Sequence, residues 1–333
     1  MKNSKHSNVA FFIPHSGCPN QCSFCNQKNI TGINTQPDTE YVRKTLELAV
    51  KNLGSDRKNS QIAFFGGSFT AIDEDYMVSL LKVASKFVFN GTFNGIRIST
   101  RPDAINSRIL NILKKYGVNA IELGAQSMCD DVLFFNKRGH NSDDVRKASF
   151  LIKDNEFSLG LQMMTGLYKS SLKKDLYTAN EIIKLSPDTV RIYPTVIMGG
   201  TDLEKLYLSG EYKTFSFDDT VDLCARLVVL FEKNNIRVIR LGLHDSKSLR
   251  DSMVGGVFHP SFCEICKSRI IFNKVLGKLQ EKGSNSVTVR INPALVSQFV
   301  GNKKCNIKSF FDMGYCLKVL QDKSLSIDDI ILE

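Results

Sequence analysis

The chain reads VAFFIPHSGCPNQCSFC over residues 9–25. The first five residues are apolar, and the run ends at Pro14, which is the pattern of a buried strand. Three cysteines follow in the next loop with the spacing C-x3-C-x2-C, namely Cys18, Cys22 and Cys25. A short buried strand followed by a loop fits the strand–loop–helix unit that α/β proteins repeat. This stretch therefore predicts an α/β fold with chemistry placed directly after its first strand.

The strand unit recurs along the chain and alternates with amphipathic helices. This order predicts parallel strands joined by right-handed crossovers. The predicted strands are Val9–Pro14, Gln61–Phe65, Gly95–Ser99, Asn119–Leu123, Ser158–Met163, Thr189–Tyr193 and Arg237–Leu243. The predicted helices are Thr39–Asn52, Asp73–Phe87, Ala104–Lys115, Ser142–Lys153, Ser171–Lys184 and Asp218–Asn234. Six or seven units without a GxGxxG after the first strand predict a partial (β/α)6-type TIM barrel rather than an open nucleotide-binding sheet.

The alternation ends near residue 255. Beyond it the pattern predicts a helix, a strand and two short helices, at Phe262–Gln280, Ser286–Ile291, Ala294–Phe299 and Asp312–Leu320. We therefore expect a barrel core over residues 1–255 and a C-terminal α+β extension over residues 256–333 that packs on the barrel.

The charge is basic and uneven. The 333 residues carry a formal charge of +10, and the excess lies at the ends, with 8 basic and 4 acidic residues in 1–60 and 11 and 7 in 256–333. A basic surface of this kind suits a polyanion such as RNA, although an ordinary solvated lysine-rich surface is the equal alternative.

The sequence also predicts a compartment. No apolar stretch approaches 18 residues, and the run from Val9 to Ile13 is too short for a signal peptide, so we expect a cytoplasmic protein without a membrane span. In that compartment the nine cysteines are expected to be reduced rather than paired in disulfides.

The cysteine loop predicts a metal centre. Thiolates favour iron–sulfur clusters, and three closely spaced thiols leave one iron of a [4Fe–4S] cluster open to a ligand. Structural zinc is an alternative in which His15 supplies the fourth ligand. Three unconnected core cysteines are the second alternative.

In a barrel, the residues after each strand meet at one rim, where barrel enzymes place their chemistry. Here they are polar or glycine-rich, at Gly66–Ser68, Thr100–Arg101, Gly124–Ser127, Met164–Gly166 and Pro194–Thr195. Motif and position thus agree on one candidate site.

The cysteine spacing, with Phe24 before the third Cys, resembles the radical S-adenosylmethionine (SAM) superfamily. The resemblance implies that Cys18, Cys22 and Cys25 bind a [4Fe–4S] cluster whose open iron chelates SAM. One electron then cleaves SAM to a 5′-deoxyadenosyl radical, which abstracts hydrogen from a substrate. The stretch AFFGGSFT at residues 63–70 resembles the glycine-rich motif of that superfamily, whose backbone binds the SAM amino group.

A narrower resemblance is to the branch that contains the catalytic subunit of Elongator. It rests on ISTRPD (98–103), ELGAQS (122–127), KRGH (137–140), GLQMM (160–164), RIYPT (191–195) and GGVFHPSF (255–262). That branch modifies the wobble uridine of tRNA with the help of an acetyltransferase domain, and nothing after the predicted barrel is long enough for such a domain.

The resemblance implies cofactor-binding roles at the rim. Gly66, Gly67 and Ser68 are expected at the SAM amino group, and Thr100 and Gln162 at its ribose or methionine part. Gln126 and Arg138 are expected at the rim, where Arg138 pairs with the SAM carboxylate or, alternatively, with Glu122. Phe24 packs on the adenine or merely within its loop.

The expected function is a radical SAM enzyme acting on an RNA base, with tRNA as the candidate, and an electron donor such as ferredoxin or flavodoxin. Alternatives are an anaerobic small-molecule or porphyrin-type radical enzyme, a non-catalytic iron–sulfur sensor and a zinc-stabilised RNA-binding protein. His259, Cys263 and Cys266 form H-x3-C-x2-C, which is either a second metal site or, preferably, ordinary helix residues.

Overall fold

The structure is a computed structural model that describes residues 7–13, 18, 21–26, 35–327 and 329–333. Its centre is a seven-stranded sheet in which every neighbouring pair is parallel. The strand order is β1-β2-β3-β4-β5-β6-β8. These strands are β1 (Ser7–Ile13), β2 (Ser60–Gly66), β3 (Ile96–Thr100), β4 (Val118–Gln126), β5 (Ser158–Thr165), β6 (Thr189–Pro194) and β8 (Arg237–Leu241). In the described chain β1 and β8 are the sheet edges, which confirms a partial barrel.

Helices follow the strands in sequence. They are α1 (Thr39–Leu53), α2 (Glu74–Phe89), α3 (Ser107–Lys115), α4 (Asp130–Phe135), α5 (Ser142–Asp154), α6 (Leu172–Lys184), α7 (Asp202–Leu208), α8 (Phe217–Lys233) and α9 (Lys247–Ser252). Side-chain caps fix where several begin, because a carboxylate or amide oxygen accepts a first-turn N–H. Asp38 caps α1, Asp73 caps α2, and Asn141 forms a capping box with Asp144 at α5.

Successive strand residues point to opposite faces of the sheet. One face is apolar and packs on helices: Phe11 contacts Tyr41 of α1, and Phe64 stacks on Phe69 with ring centroids 4.8 Å apart. The other face, which we call the lumen face, carries polar side chains such as Glu122 and Arg191. The lumen face therefore cannot be held by hydrophobic packing alone.

The chain divides into two compact units. The first contains residues 1–215 and 231–257, and the second contains residues 216–230 and 258–333. The first unit also holds an antiparallel pair, β7 (Val196–Met198) with β9 (Met253–Gly256). The predicted division at residue 255 stays a prediction, since α8 contributes residues to both units.

The second unit has a core of its own. It contains α10 (Phe262–Lys282), β10 (Ser286–Ile291), α11 (Val296–Val300), α12 (Cys305–Asp312), β11 (Cys316–Gln321) and β12 (Ile330–Leu332). The three strands form a sheet in the order β11-β10-β12. Val275, Val289, Phe299 and Phe310 are buried together beneath it.

Two predicted elements differ from the structure. The helix predicted at Asp312–Leu320 is wrong: Gly314 has φ +87° and ends α12, after which the alternating residues 316–321 pair with β10 as a strand. The helix predicted from Ala104 begins only at Ser107, because Pro102–Ala104 forms a separate 3-10 turn and Asn106 supplies the cap. The short elements α4, α7, α9, α12, β7, β9 and β12 were not predicted.

Within the described residues, no helix is both long and apolar enough to cross a membrane.

Gly66 is the point where the ends of β1 and β2 close on each other. Its φ is +111°, and a Cβ there would lie 2.8 Å from the carbonyl oxygen of Ile13. We predict that Gly66→Ala lowers the free energy of unfolding by about 2 kcal/mol or more, because both backbone strain and a backbone clash oppose it. Gly199→Ala, with an ordinary φ and only a 3.4 Å contact, is the control and should stay within about 0.5 kcal/mol in urea titrations. Equal losses in both variants would contradict the prediction.

Candidate active site

The cysteine loop is anchored by the residue between its second and third thiols. Ser23 is 1% exposed. Its backbone N–H donates to the carbonyl of Asn136 (3.1 Å), and its hydroxyl donates to Asn136 Oδ1 (2.8 Å). Its own carbonyl accepts from Leu203 N at the start of α7. The loop is thus fixed against the segment that follows α4.

Cys22 has a cationic hydrogen-bond donor. The Arg138 Nη1 lies 3.1 Å from Cys22 Sγ, and Arg138 Nη2 donates to the carbonyl of Gly124 (2.5 Å). Both side chains are buried, with Arg138 7% exposed. A thiolate is the form of cysteine that binds metal, and a guanidinium is a fitting partner for a negatively charged sulfur. Arg138 therefore links the cysteine loop to the end of β4.

Of the two partners expected for Arg138, the one within the protein, Glu122, is not the one observed. Glu122, the alternative partner, instead pairs with Arg97 and Arg191. Because Arg138 Nε is a buried atom without a hydrogen-bond partner among the described residues, the guanidinium still has a donor to offer. Its pairing with the SAM carboxylate stays a prediction.

The glycine-rich turn lies beside the cysteine loop. The Gly67 N–H donates to Ile13 O at 2.7 Å, which joins the ends of β1 and β2. Ser68 is buried, and its Oγ lies 3.7 Å from Cys18 Sγ. An ammonium group bound here would be held by backbone carbonyl oxygens, because it only donates hydrogen bonds.

Gln126 has an unusual backbone at the end of β4. It is a buried non-glycine residue with φ +66°, and it follows a register shift between β4 and β5. Its Oε1 is buried without a partner in the described part of the chain. A Cβ at Gly124 would lie 2.9 Å from Gln126 Nε2 and 3.3 Å from Arg138 Nη2, so only glycine lets these two side chains converge. Strain of this kind is typical of functional sites.

The remaining predicted residues have partners inside the protein. Thr100 Oγ1 lies 2.7 Å from Thr70 Oγ1. Gln162 Nε2 donates to Glu122 Oε2 (3.1 Å) and Ser99 Oγ (3.3 Å) on the lumen face. Phe24 packs against an apolar cluster made of Tyr168, Ile197, Leu203 and Tyr212. The structure thus places Cys22, Gln126 and Arg138 close together. Phe24 makes the packing contacts within its loop, and Gln162 hydrogen-bonds to Glu122.

Sequence reasoning missed two residues that hold the site. Arg101 is 4% exposed and donates from Nη2 to the backbone carbonyl of Arg138 (2.8 Å), while Asp103 pairs with its Nε. Asn136 is fully buried and binds Ser23 and the Tyr168 carbonyl. Arg101 stood at a predicted strand end, which was a usable signal. Asn136 had none, because its partners are remote in sequence.

The thiols suit a cluster better than a single ion. No three His, Cys, Asp or Glu side chains of the described residues converge at single-ion distance. A structural zinc site takes four protein ligands, with Zn–S bonds of about 2.3 Å, so the three thiols alone leave such a site one ligand short. His15, the proposed fourth zinc ligand, lies outside the described residues. The all-thiol donor set and the buried cation at Cys22 fit an iron–sulfur cluster.

The second predicted motif lies around the start of α10. His259 Nδ1 accepts from the Ser261 N–H (3.0 Å) at the start of α10. Cys266 is buried, and the neighbouring Cys224 thiol together with burial raises its pKa. A raised pKa disfavours the thiolate form of this cysteine.

Comparison with known proteins identifies the class. The Radical SAM superfamily pattern matches residues 12–179, half of the chain, and the Radical_SAM C-terminal domain pattern matches residues 187–271. The chain belongs to the radical SAM superfamily and is an enzyme of that class.

Among its relatives is Elongator complex protein 3 of Homo sapiens, 31% identical over 201 residues, which cover 54% of this chain and 37% of that protein. Another is the tRNA uridine(34) acetyltransferase of Dehalococcoides mccartyi, 26% identical over 317 residues, covering 84% and 69%. The structure of archaeal Methanocaldococcus infernus Elp3 with an N-terminal deletion shares the fold with a TM-score of 0.64 at 22% identity, covering 84% of this chain and 63% of that one. The chain thus spans little more than a third of the human relative it matches.

A buried carboxyl group lies next to the apolar side chains on which Phe24 packs. Asp175 of α6 is 2% exposed and accepts from Gly166 N (2.8 Å) and Ser170 Oγ (2.5 Å). Burial raises its pKa to about 7. Tyr212 donates its hydroxyl to the Gly166 carbonyl, so the same turn holds both groups.

The raised pKa predicts a pH dependence of stability. A carboxyl group whose pKa is higher in the folded state stabilises the fold below its unfolded pKa near 4, and that contribution is lost as pH rises to about 7. Asp175 should therefore lower the free energy of unfolding by on the order of 1 kcal/mol per pH unit in this window. Asp175→Asn should flatten the dependence in urea titrations at pH 5, 6 and 7. The exposed Asp143→Asn is the control, and parallel profiles for wild type and Asp175→Asn would refute the assignment.

Proposed function

We propose that the protein binds a [4Fe–4S] cluster through Cys18, Cys22 and Cys25, cleaves SAM reductively, and uses the resulting radical to modify a uridine base of tRNA. The observation that carries the proposal is a set of buried polar atoms at the rim without partners among the described residues. They are two donors, Arg138 Nε and Arg101 Nη1, and one acceptor, Gln126 Oε1. Buried polar atoms are nearly always satisfied, so these atoms indicate a ligand.

The orphaned atoms match the chemistry of SAM. A carboxylate accepts from guanidinium donors, which suits Arg138 and Arg101, and a ribose hydroxyl donates to an amide oxygen, which suits Gln126. The carbonyl groups of Gly66 and Gly67 suit the amino group. Thr100 is a weaker candidate because its hydroxyl already contacts Thr70. We assign Gln162 to the lumen face rather than to SAM.

When bound, the cluster supplies the electron that converts SAM to methionine and a 5′-deoxyadenosyl radical. The chain's own residues position that chemistry. Arg138 holds the Cys22 sulfur against the end of β4, Ser23 fixes the loop, and Gly124 leaves room for both Gln126 and Arg138. The electron comes from a small reduced carrier of the ferredoxin or flavodoxin type.

The substrate class rests on the relatives. Proteins of this similarity are named for uridine 34 of tRNA, and the basic charge of +10 suits an RNA ligand. Acetyl transfer is outside the proposal, because the matched region covers only part of those proteins.

The decisive experiment is anaerobic. The protein is reconstituted with iron and sulfide and given SAM, dithionite and tRNA, and 5′-deoxyadenosine is quantified. Wild type should form it, whereas Cys22→Ala should lose both the product and the cluster absorbance. Cys305→Ala, which removes an exposed thiol, should behave as wild type. A well-formed cluster that yields no 5′-deoxyadenosine would refute SAM cleavage and favour an iron–sulfur sensor.

The contact between Arg138 and Cys22 is predicted to affect the reduction potential of the cluster. A cation that donates to a cluster thiolate stabilises the more negative, reduced state. Arg138→Gln should therefore lower the midpoint potential by about 60 mV or more, because a charge-assisted hydrogen bond is worth at least about 1.5 kcal/mol and a one-electron couple shifts by 59 mV for about 1.4 kcal/mol. Redox titration followed by EPR without SAM measures it, and Arg138→Lys should retain much of the wild-type potential. If Arg138 served only the SAM carboxylate, SAM affinity would fall and the SAM-free potential would not move.

A further inference from the structure

The lumen face holds more positive than negative charge. Among the described residues, Arg97 of β3, Arg191 of β6 and Arg240 of β8 share this face with the carboxylate Glu122 of β4. The charge of Arg237, at the start of β8, also acts on Arg97. The strand register shows why they meet: Gln162 pairs with Arg191, and Arg191 pairs with Arg240 across β5, β6 and β8. Like charges on adjacent strands repel, so such a layer needs an anionic partner.

Glu122 is already fully engaged. It accepts from Arg97 Nη1 (3.1 Å), Arg191 Nε (2.6 Å), Arg191 Nη2 (2.9 Å) and Gln162 Nε2 (3.1 Å). Although burial raises the pKa of Glu122, the charges of Arg191 and Arg97 bring it below its ordinary value. Glu122 is therefore ionised and neutralises one guanidinium, which leaves the layer with an excess of positive charge.

The excess charge is concentrated between β6 and β8. Arg240 Nε donates to the carbonyl of Gly242 (3.0 Å), and no carboxylate of the described residues pairs with its guanidinium. Tyr193 lies two residues after Arg191 on the same face. Burial raises the pKa of the Tyr193 phenol, and the nearby cations Arg191 and Arg240 oppose that rise. Tyr193 thus keeps its proton: its oxygen accepts from the Arg191 guanidinium, and its own O–H stays a donor.

In this group of lumen-face side chains, Arg191 is held in a fixed orientation, and part of the group is accessible to solvent. The Arg191 guanidinium lies over the Phe65 ring, 5.1 Å from its centroid, and its fork on Glu122 fixes its plane. Arg191 and Arg240 are both only partly buried, whereas Glu122 and Arg97 are buried. Arg191 and Arg240 therefore lie in the solvent-accessible part of the lumen.

The chemistry of these donors selects the ligand. Two guanidinium groups and a phenol hydroxyl offer several N–H and O–H donors, and the surrounding charge is positive. A cation is repelled, and a neutral base alone would leave the charge unbalanced. A phosphate offers three acceptor oxygens and matches guanidinium geometry.

We propose that Arg191, Tyr193 and Arg240 form an oxyanion site in the lumen that binds the phosphate of the nucleotide substrate. The inference rests on the proposed function for its choice of a nucleotide. Tyr193 and Arg240 lie near the carboxyl ends of β6 and β8, the same edge at which the cysteine loop follows β1. The cysteine loop follows β1 and the proposed anchor lies on β6 and β8, so the middle strands β2 to β5 lie between the two in the sheet.

The test measures binding of uridine 5′-monophosphate and of uridine to the reconstituted protein by anaerobic titration calorimetry. The monophosphate should bind and uridine should bind at least about tenfold more weakly, as expected when a charge-assisted contact is missing. Arg240→Gln should weaken binding of the monophosphate about 10- to 100-fold, with smaller losses for Arg240→Lys and Tyr193→Phe. Arg226→Gln, the same substitution at an exposed helix position, is the matched control.

Two outcomes would overturn the site: equal affinity for uridine and its monophosphate, or wild-type affinity in both Arg240→Gln and Tyr193→Phe. Circular dichroism and urea titration show whether Arg240→Gln folds, and Tyr193→Phe keeps the test valid if it does not. Failure of the proposed function is seen separately. If wild type forms 5′-deoxyadenosine but fails these binding tests, the proposed function stands and the phosphate site is wrong. If wild type binds the monophosphate but forms no 5′-deoxyadenosine, the phosphate site stands and the proposed function is wrong.

Discussion

The contact between Arg138 and Cys22 is the constraint on which the candidate site depends. A buried guanidinium is costly to desolvate, and it is tolerated only when its donors meet acceptors. Arg138 meets two at once, the Cys22 sulfur and the Gly124 carbonyl. Since one lies in the loop after β1 and the other near the end of β4, the contact joins segments that the sheet keeps three strands apart. Arg101 then fixes the backbone of Arg138 itself.

The polar lumen face follows a different logic. In an ordinary barrel the interior is filled with branched apolar side chains in layers. Here the layer is made of Arg97, Glu122, Gln162 and Arg191, and its energy depends on geometry rather than on buried area. A buried ion pair adds little net stability, but removing one partner is strongly destabilising. Such a layer is best explained by a ligand that must be oriented, which is why its surplus charge is informative.

Most of the fold could be predicted from local pattern, and the site only in part. All seven strands of the main sheet were predicted, because apolar runs with turn residues at both ends are a strong local signal. The strand Cys316–Gln321 was predicted as helix, because its run of apolar residues is short and its pairing with β10 is a long-range contact. The positions of Gly66 and Gly124 followed from motifs, but their reasons, contacts with Ile13 and with Gln126 and Arg138, needed coordinates. Gln162 shows what the sequence could not predict. A polar residue near the end of a strand can lie either at the rim or on the lumen face, and sequence alone does not distinguish these two positions.

The orphaned rim atoms also bear on how tightly a cofactor is held. Each buried, unsatisfied donor or acceptor costs about 1 to 3 kcal/mol relative to its solvated state. Arg101 Nη1, Arg138 Nε and Gln126 Oε1 therefore store unfavourable energy, to which the left-handed backbone of Gln126 adds. A ligand that satisfies all three recovers that energy on binding, since the protein is already organised and loses little freedom. The same preorganisation selects the ligand, because it must present acceptors to two guanidinium groups and a donor to one amide oxygen. An amino acid joined to a ribose meets that description, whereas a simple anion would leave Gln126 unsatisfied.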